Sequence, residues 1–192
     1  WDANRCGLPP NPFHVRGRSG AMAIEDERDE VTSHDAVTNR SGTFELGDST
    51  VHRLGFGAMQ LTGPGVLGPP ESEDEARRVL SRAAEIGVDF VDTADSYGPG
   101  VNERLVGDVL ADDAVATDDV VVATKGGLLR SPEGDWIPPG DPDYLKDAVM
   151  KSLDRLGVEQ IDLYQHHRPD PDVPIEETVG AVVASLEEVP PA

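Results

Sequence analysis

Four times between Leu54 and Glu188, a short apolar run is followed by a segment whose apolar residues recur at helical spacing, with polar loops between them. A strand that leads through a helix to the next strand gives a parallel pair, because parallel strands need a crossover and cannot be joined by a tight turn. Repetition of that unit gives a parallel sheet packed against helices, which is an α/β fold and neither a helical bundle nor an all-β sandwich. In the first unit, residues 54–59 form a short strand and Ser72 with Glu75 forms a capping box. Ala76, Val79, Leu80, Ala83 and Ala84 then share a helix face, and Gly87 ends it. The second unit joins a strand over 88–91 to a helix over about 102–110. The third joins 120–124, through a loop rich in Pro and Gly, to a helix opened by Pro142 and closed by Gly157. The fourth joins 161–165 to a helix over 175–188. Ahead of them, 43–46 and 51–54 flank Gly47-Asp48-Ser49 and read as a small hairpin.

Four units make half of a (β/α)8 barrel, so the expected architecture is a partial TIM-type barrel of about four βα units with an N-terminal hairpin. Its 192 residues suffice for one domain core but fall short of the ~250 typical of the closed barrel. Such a half leaves two strand edges open. Residues 1–42 stand apart: 1–20 lack periodicity and 23–35 are an acidic polar run, so this extension is expected to be disordered. The chain begins with Trp and its first Met is Met22, so residues 1–21 read as upstream sequence translated with the gene.

Charge narrows the partners. Sixteen Lys and Arg stand against 37 Asp and Glu, a formal net charge of −21, which repels nucleic acid and anionic lipid. The acidic excess is spread along the chain, as suits a solvated surface in a salt-rich cytoplasm. A single cysteine, Cys6, allows no internal disulfide, and no apolar run approaches the ~18 residues of a membrane span. A soluble cytoplasmic protein is the expectation, and Asn39-Arg40-Ser41 is then a chance match to a glycosylation site.

Residues at the C-terminal ends of parallel strands meet at one rim, where barrels do their chemistry. Asp92 and Lys125 each end a strand in this way, and two neighbouring strands would bring their charges together. Tyr97 follows Asp92 in a turn bounded by Gly98 and Gly100; beside an ammonium, a phenol of ordinary pKa ~10 becomes a better acid. His167 lies just past the fourth strand, where it could orient a substrate oxygen. His166 and His167 point to opposite faces and no Cys or carboxylate cluster joins them, so no metal is expected. Gly63-Pro-Gly-Val-Leu-Gly68 has dinucleotide-fingerprint spacing, yet Pro64, Pro69 and Pro70 oppose a helix opening there, and it reads as a shaped loop.

Asp92-Thr-Ala-Asp-Ser-Tyr97-Gly98 with Glu103, then Thr124-Lys125, then Asp162-Leu-Tyr-Gln-His-His167-Arg-Pro169, resembles the aldo-keto reductase family in order, spacing and strand position. The likeness covers about 43–188. Leu54-Gly-Phe-Gly-Ala-Met-Gln-Leu61 and the glycine loop after it look most like the pyridoxal reductases of that family. The resemblance implies NADPH-dependent reduction of an aldehyde or ketone to an alcohol. Tyr97 would be the general acid, with Lys125 tuning it, Asp92 holding Lys125 beside the nicotinamide, and His167 orienting the carbonyl. Gly57, Ala58, Met59 and Asp92 would line the nicotinamide end of the NADPH site. A full family member adds four more strands that carry most of the cofactor's seat, so this chain alone is expected to bind NADPH poorly and to turn over slowly or not at all. The alternatives are a non-catalytic regulatory or binding protein on the same scaffold, and an inactive gene fragment.

Overall fold

A computed structural model describes residues 37–117, 119–131 and 134–188. Most of the extension expected to be disordered, residues 1–36, and the Pro-rich 189–192 lie outside the described residues. Within the end of that extension, Val37–Ser41 is a turn of 3-10 helix in which Thr38 is fully buried. It is held there because His52 bonds Asn39 and the Ser41 hydroxyl donates to the Thr38 carbonyl.

The chain then runs through β1 (Thr43–Leu46), β2 (Ser49–His52), β3 (Phe56–Gly57), α1 (Glu73–Glu85), β4 (Phe90–Asp92) and α2 (Val101–Leu110). It continues through β5 (Val121–Gly126), β6 (Leu129–Arg130), β7 (Trp136–Ile137), α3 (Pro142–Leu156), β8 (Leu163–His166) and α4 (Ile175–Glu188). β1 and β2 form the expected antiparallel hairpin, with Gly47 at φ 60° in its turn. β3, β4, β5 and β8 form one parallel sheet in that order, which is the partial α/β barrel expected from the repeat.

Local signals act where expected. The Ser72 side chain accepts from the Glu75 amide and starts α1; Asp141 caps α3 with Pro142 in its first turn, and Gly157 closes it at φ 66°. Strand ends differ from expectation. β3 is only two residues long, because a 3-10 turn, Ala58–Gln60, takes over the rest of the 54–59 run. β8 begins at Leu163, two residues later than expected, where the Asp162 carboxylate accepts from the Val122 amide (2.8 Å) in place of a backbone partner. β5 extends past 124 to Gly126. The loop after it folds back into the β6–β7 hairpin, which periodicity did not reveal.

The strand period of two sorts side chains between two faces. Val91 and Val122 pack with Leu80, Leu105, Val106, Val109 and Leu156 in the layer between sheet and helices. Full burial of one such side chain stabilises by about 1.5–3 kcal/mol. Gly107 lets α2 meet α3 closely, since a Cβ there would lie 2.5 Å from the Leu156 carbonyl oxygen. In register, Asp92 pairs with Ala123 and Lys125 with Gln165, so Asp92 and Lys125 fall on the opposite face, near the C-terminal end of the sheet.

Candidate active site

The Lys125 ammonium has three protons and three acceptors. It donates to Asp92 Oδ1 at 2.5 Å, to the Thr93 carbonyl at 2.8 Å and to the Tyr97 hydroxyl at 3.4 Å. Its side chain is 13% exposed and that of Asp92 33%, so the pair sits at the edge between core and solvent. The ammonium also lies 5.1 Å from the centre of the Tyr97 ring.

Tyr97 is placed by its turn. The Asp95 amide donates to the Lys125 carbonyl, the Gly100 amide to the Asp95 carbonyl, and the Asn102 amide to the Tyr97 carbonyl. Gly98 and Gly100 take φ 78° and 74°, a region that costs a side chain little only when it is absent. Asn102, fully buried, donates to the Ala58 and Leu61 carbonyls and accepts from the Thr93 hydroxyl, joining the segment after β3 to the turn after β4. The glycine loop meets the same turn, because the Gly98 amide donates to the Val66 carbonyl. Val66 is held at φ 62°, a conformation that costs a β-branched residue ~1–3 kcal/mol. The Gly63 amide donates to the Gly68 carbonyl and, among the described residues, no α-helix starts before Glu73, so this segment is the shaped loop expected of it. Arg130 lies over the Trp136 ring at 4.1 Å and donates to the Gly65 carbonyl, fastening the β6–β7 hairpin to that loop.

His167 follows β8, its amide donating to the Gly126 carbonyl at 2.7 Å. Its ring stands edge-on to that of Tyr97, centres 5.7 Å apart at 83°. Burial, then the Lys125 and Arg168 charges, push its pKa down to about 4, so the imidazole is neutral near pH 7. His166 faces the helices instead, as β-strand alternation requires. Among the described residues neither of its ring nitrogens has a partner; its ring fills the space a Cβ on Gly127 would occupy, and burial pushes its pKa down. It is a packing residue. Among the described residues no group of three His, Cys, Asp or Glu is placed to hold a metal.

Gly57, in register with Asp92, faces open space: a Cβ built on it meets nothing within 4 Å. Met59 is exposed, whereas Ala58 is fully buried in the core and its carbonyl is taken by Asn102 and by the Leu61 amide. Gly57 therefore leaves open space on the face that carries Asp92, while Met59 is exposed and the Ala58 side chain is turned into the core.

Several polar residues around the site escaped the sequence reading. Glu103, fully buried, accepts from the Thr124 hydroxyl at 2.6 Å and pairs with Arg155 of α3. Tyr144 of α3 donates to Asp95 Oδ2 at 3.2 Å. Burial, then the Glu103 charge, raise the Asp95 pKa to about 7. The buried Ser96 lies beside His167. Of these, Asp95, Ser96 and Glu103 had carried a signal only through the stretches that bear the resemblance, and Tyr144 and Arg155 had carried none.

Asp92, Lys125, Tyr97 and His167 thus meet at the C-terminal rim of a parallel α/β sheet, the arrangement of a barrel enzyme's active-site corner. The profile of the Aldo/keto reductase family matches residues 53–188, and the chain belongs to that family. It is 41% identical over 150 residues to an uncharacterized oxidoreductase of Schizosaccharomyces pombe, covering 78% of this chain and 48% of that protein. It is 42% identical over 123 residues to pyridoxine 4-dehydrogenase of Escherichia coli, covering 64% and 42%. The holo form of an aldo-keto reductase from Bacillus halodurans superposes with a TM-score of 0.63 at 37% identity, covering 77% of this chain and 47% of that one. Glycerol dehydrogenase of Gluconobacter oxydans gives 0.68 at 30%, covering 77% and 46%. The chain spans less than half the length of these relatives.

Proposed function

We propose that this chain carries the proton-donating corner of an NADPH-dependent carbonyl reductase. The observation that carries the reading is the contact of one lysine with both a carboxylate and a phenol, beside a neutral histidine. When bound, NADPH supplies the hydride that reduces the carbonyl carbon. Tyr97 gives its hydroxyl proton to the carbonyl oxygen, and the phenolate left behind is stabilised by the Lys125 ammonium until solvent returns a proton. Asp92 holds that ammonium in place. His167, neutral, donates a hydrogen bond to the substrate oxygen without competing for its proton. The open space over Gly57 and the edge formed by Asp92 fit the nicotinamide end of the cofactor. An aldehyde or ketone is the substrate class, and pyridoxal is the first to try, given the likeness to a pyridoxine dehydrogenase.

The test is Tyr97→Phe, made in the chain alone and in the chain joined to the second half of a relative's barrel. Lost NADPH consumption with retained cofactor fluorescence quenching supports the reductase. Consumption unchanged by the substitution sinks it, and favours a binding module on the same scaffold. The chain alone is expected to bind NADPH weakly, and tight binding in the same titration would overturn that part.

A further inference from the structure

His167 must present a donor in a defined direction to a substrate oxygen, yet a neutral imidazole carries one N–H on either of two nitrogens. Its backbone is fixed by the bond to Gly126, but that bond leaves the ring free to turn and to choose a tautomer. Tyr97 meets the ring only edge-on. The polar contact made by the ring among the described residues is Nδ1 to Ser96 Oγ, at 3.4 Å.

Burial decides the direction of that bond. Ser96 is 2% exposed, and His167 is the one partner its hydroxyl has among the described residues. If Nδ1 carried the proton and donated, the serine O–H would be left buried with no acceptor, which is unfavourable. If Ser96 donates, its proton is satisfied and Nδ1 is an acceptor. We infer that Ser96 is a positioning residue that donates to His167 Nδ1, holding the ring and keeping its proton on Nε2, the nitrogen left for the substrate oxygen.

Ser96 lies one residue before Tyr97, in the turn pinned to the Lys125 carbonyl, so one turn sets both donors. With Nε2–H and the Tyr97 hydroxyl both aimed at one carbonyl oxygen, each of its two lone pairs has a donor. That consequence rests on the reductase reading; the tautomer does not.

The test is nitrogen NMR of the histidine rings in the labelled chain, with His167 assigned by its loss in His167→Gln. The expected result at neutral pH is an Nε2-protonated ring whose Nδ1 resonates as a hydrogen-bonded acceptor. In Ser96→Ala that Nδ1 signal is expected to move to the position of a free acceptor or to broaden as the ring turns. A proton on Nδ1 in the unsubstituted chain overturns the inference with no variant needed. So does an Nδ1 signal unmoved in a Ser96→Ala chain whose circular dichroism is native. In the chain joined to the second half of a barrel, Ser96→Ala is expected to lower kcat about fivefold with little change in KM, the effect of one hydrogen bond of ~1 kcal/mol. A native tautomer with no carbonyl reduction would sink the reductase reading and leave the role of Ser96 standing.

Discussion

Thr124 and Lys125 are neighbours on β5, and each belongs to a different buried carboxylate network. Thr124 faces the helices and donates to Glu103, whose other oxygen holds Arg155, itself bonded to Ser152. Lys125 faces the other way and holds Asp92 and Tyr97. The Glu103 side chain is 0% exposed and that of Asp92 33%. The outer pair joins β5, α2 and α3 and is closed on all sides, so it serves the fold. The inner pair has a free edge, so it can serve a ligand. Burial by itself therefore points to the wrong pair; what marks a site is a satisfied charge left open on one side.

Removing each carboxylate should separate the two networks. Glu103→Ala strands the Arg155 charge between α2 and α3 and should cost about 3–5 kcal/mol, seen as a large fall in melting temperature. Asp92→Asn should cost ~1 kcal/mol or less, since Lys125 keeps two acceptors and the lost partner is partly solvated. Equal destabilisation by the two would erase the contrast.

pH should pull the two regions in opposite directions. An unfolded Asp loses its proton near 3.8, whereas folded Asp95 keeps it to about 7. Between those values the folded state binds more protons, so this group lowers stability as pH rises through the window, and the loss levels off above 7. Asp95→Asn should remove that slope, with a gain on the order of 4 kcal/mol at pH 8 and none near pH 3. His167, on the other side, is held neutral down to about 4 while the unfolded imidazole protonates near 6.5. It therefore costs stability as pH falls from 6.5 to 4, and His167→Gln should flatten that limb. Urea midpoints measured from pH 4 to 8 would check both signs.

A smaller effect tests the outer layer alone. A Cβ on Gly126 would collide with the Tyr164 hydroxyl, which is buried and has no partner among the described residues. Gly126→Ala should cost about 1–3 kcal/mol, and adding Tyr164→Phe should restore most of it. If the double variant melts no higher than the single one, the collision is not the cause.

The sequence was readable where its rules are local. Ser72, Asp141, Pro142, Gly87 and Gly157 act within one turn of their own helices, so the helices stand close to where they were expected. Strand ends were less legible, because what stops a strand is a partner: Asp162 takes the Val122 amide from 40 residues away. The β6–β7 hairpin was hidden because its strands are two residues each, too short to show a period.

By itself, the order of residues determined the repeat, the parallel sheet and the four groups at strand ends, since helical and strand periods and the family spacing are written along the chain. Only the tertiary structure decided that Ala58 faces the core, that Glu103 meets Arg155 across 52 positions, and that Ser96 reaches His167 across 71. Those contacts depend on strand register and on which face each residue takes. A shift of one residue in β5 or β8 would exchange the two faces, and the chain settles that choice only when sheet and helices pack together.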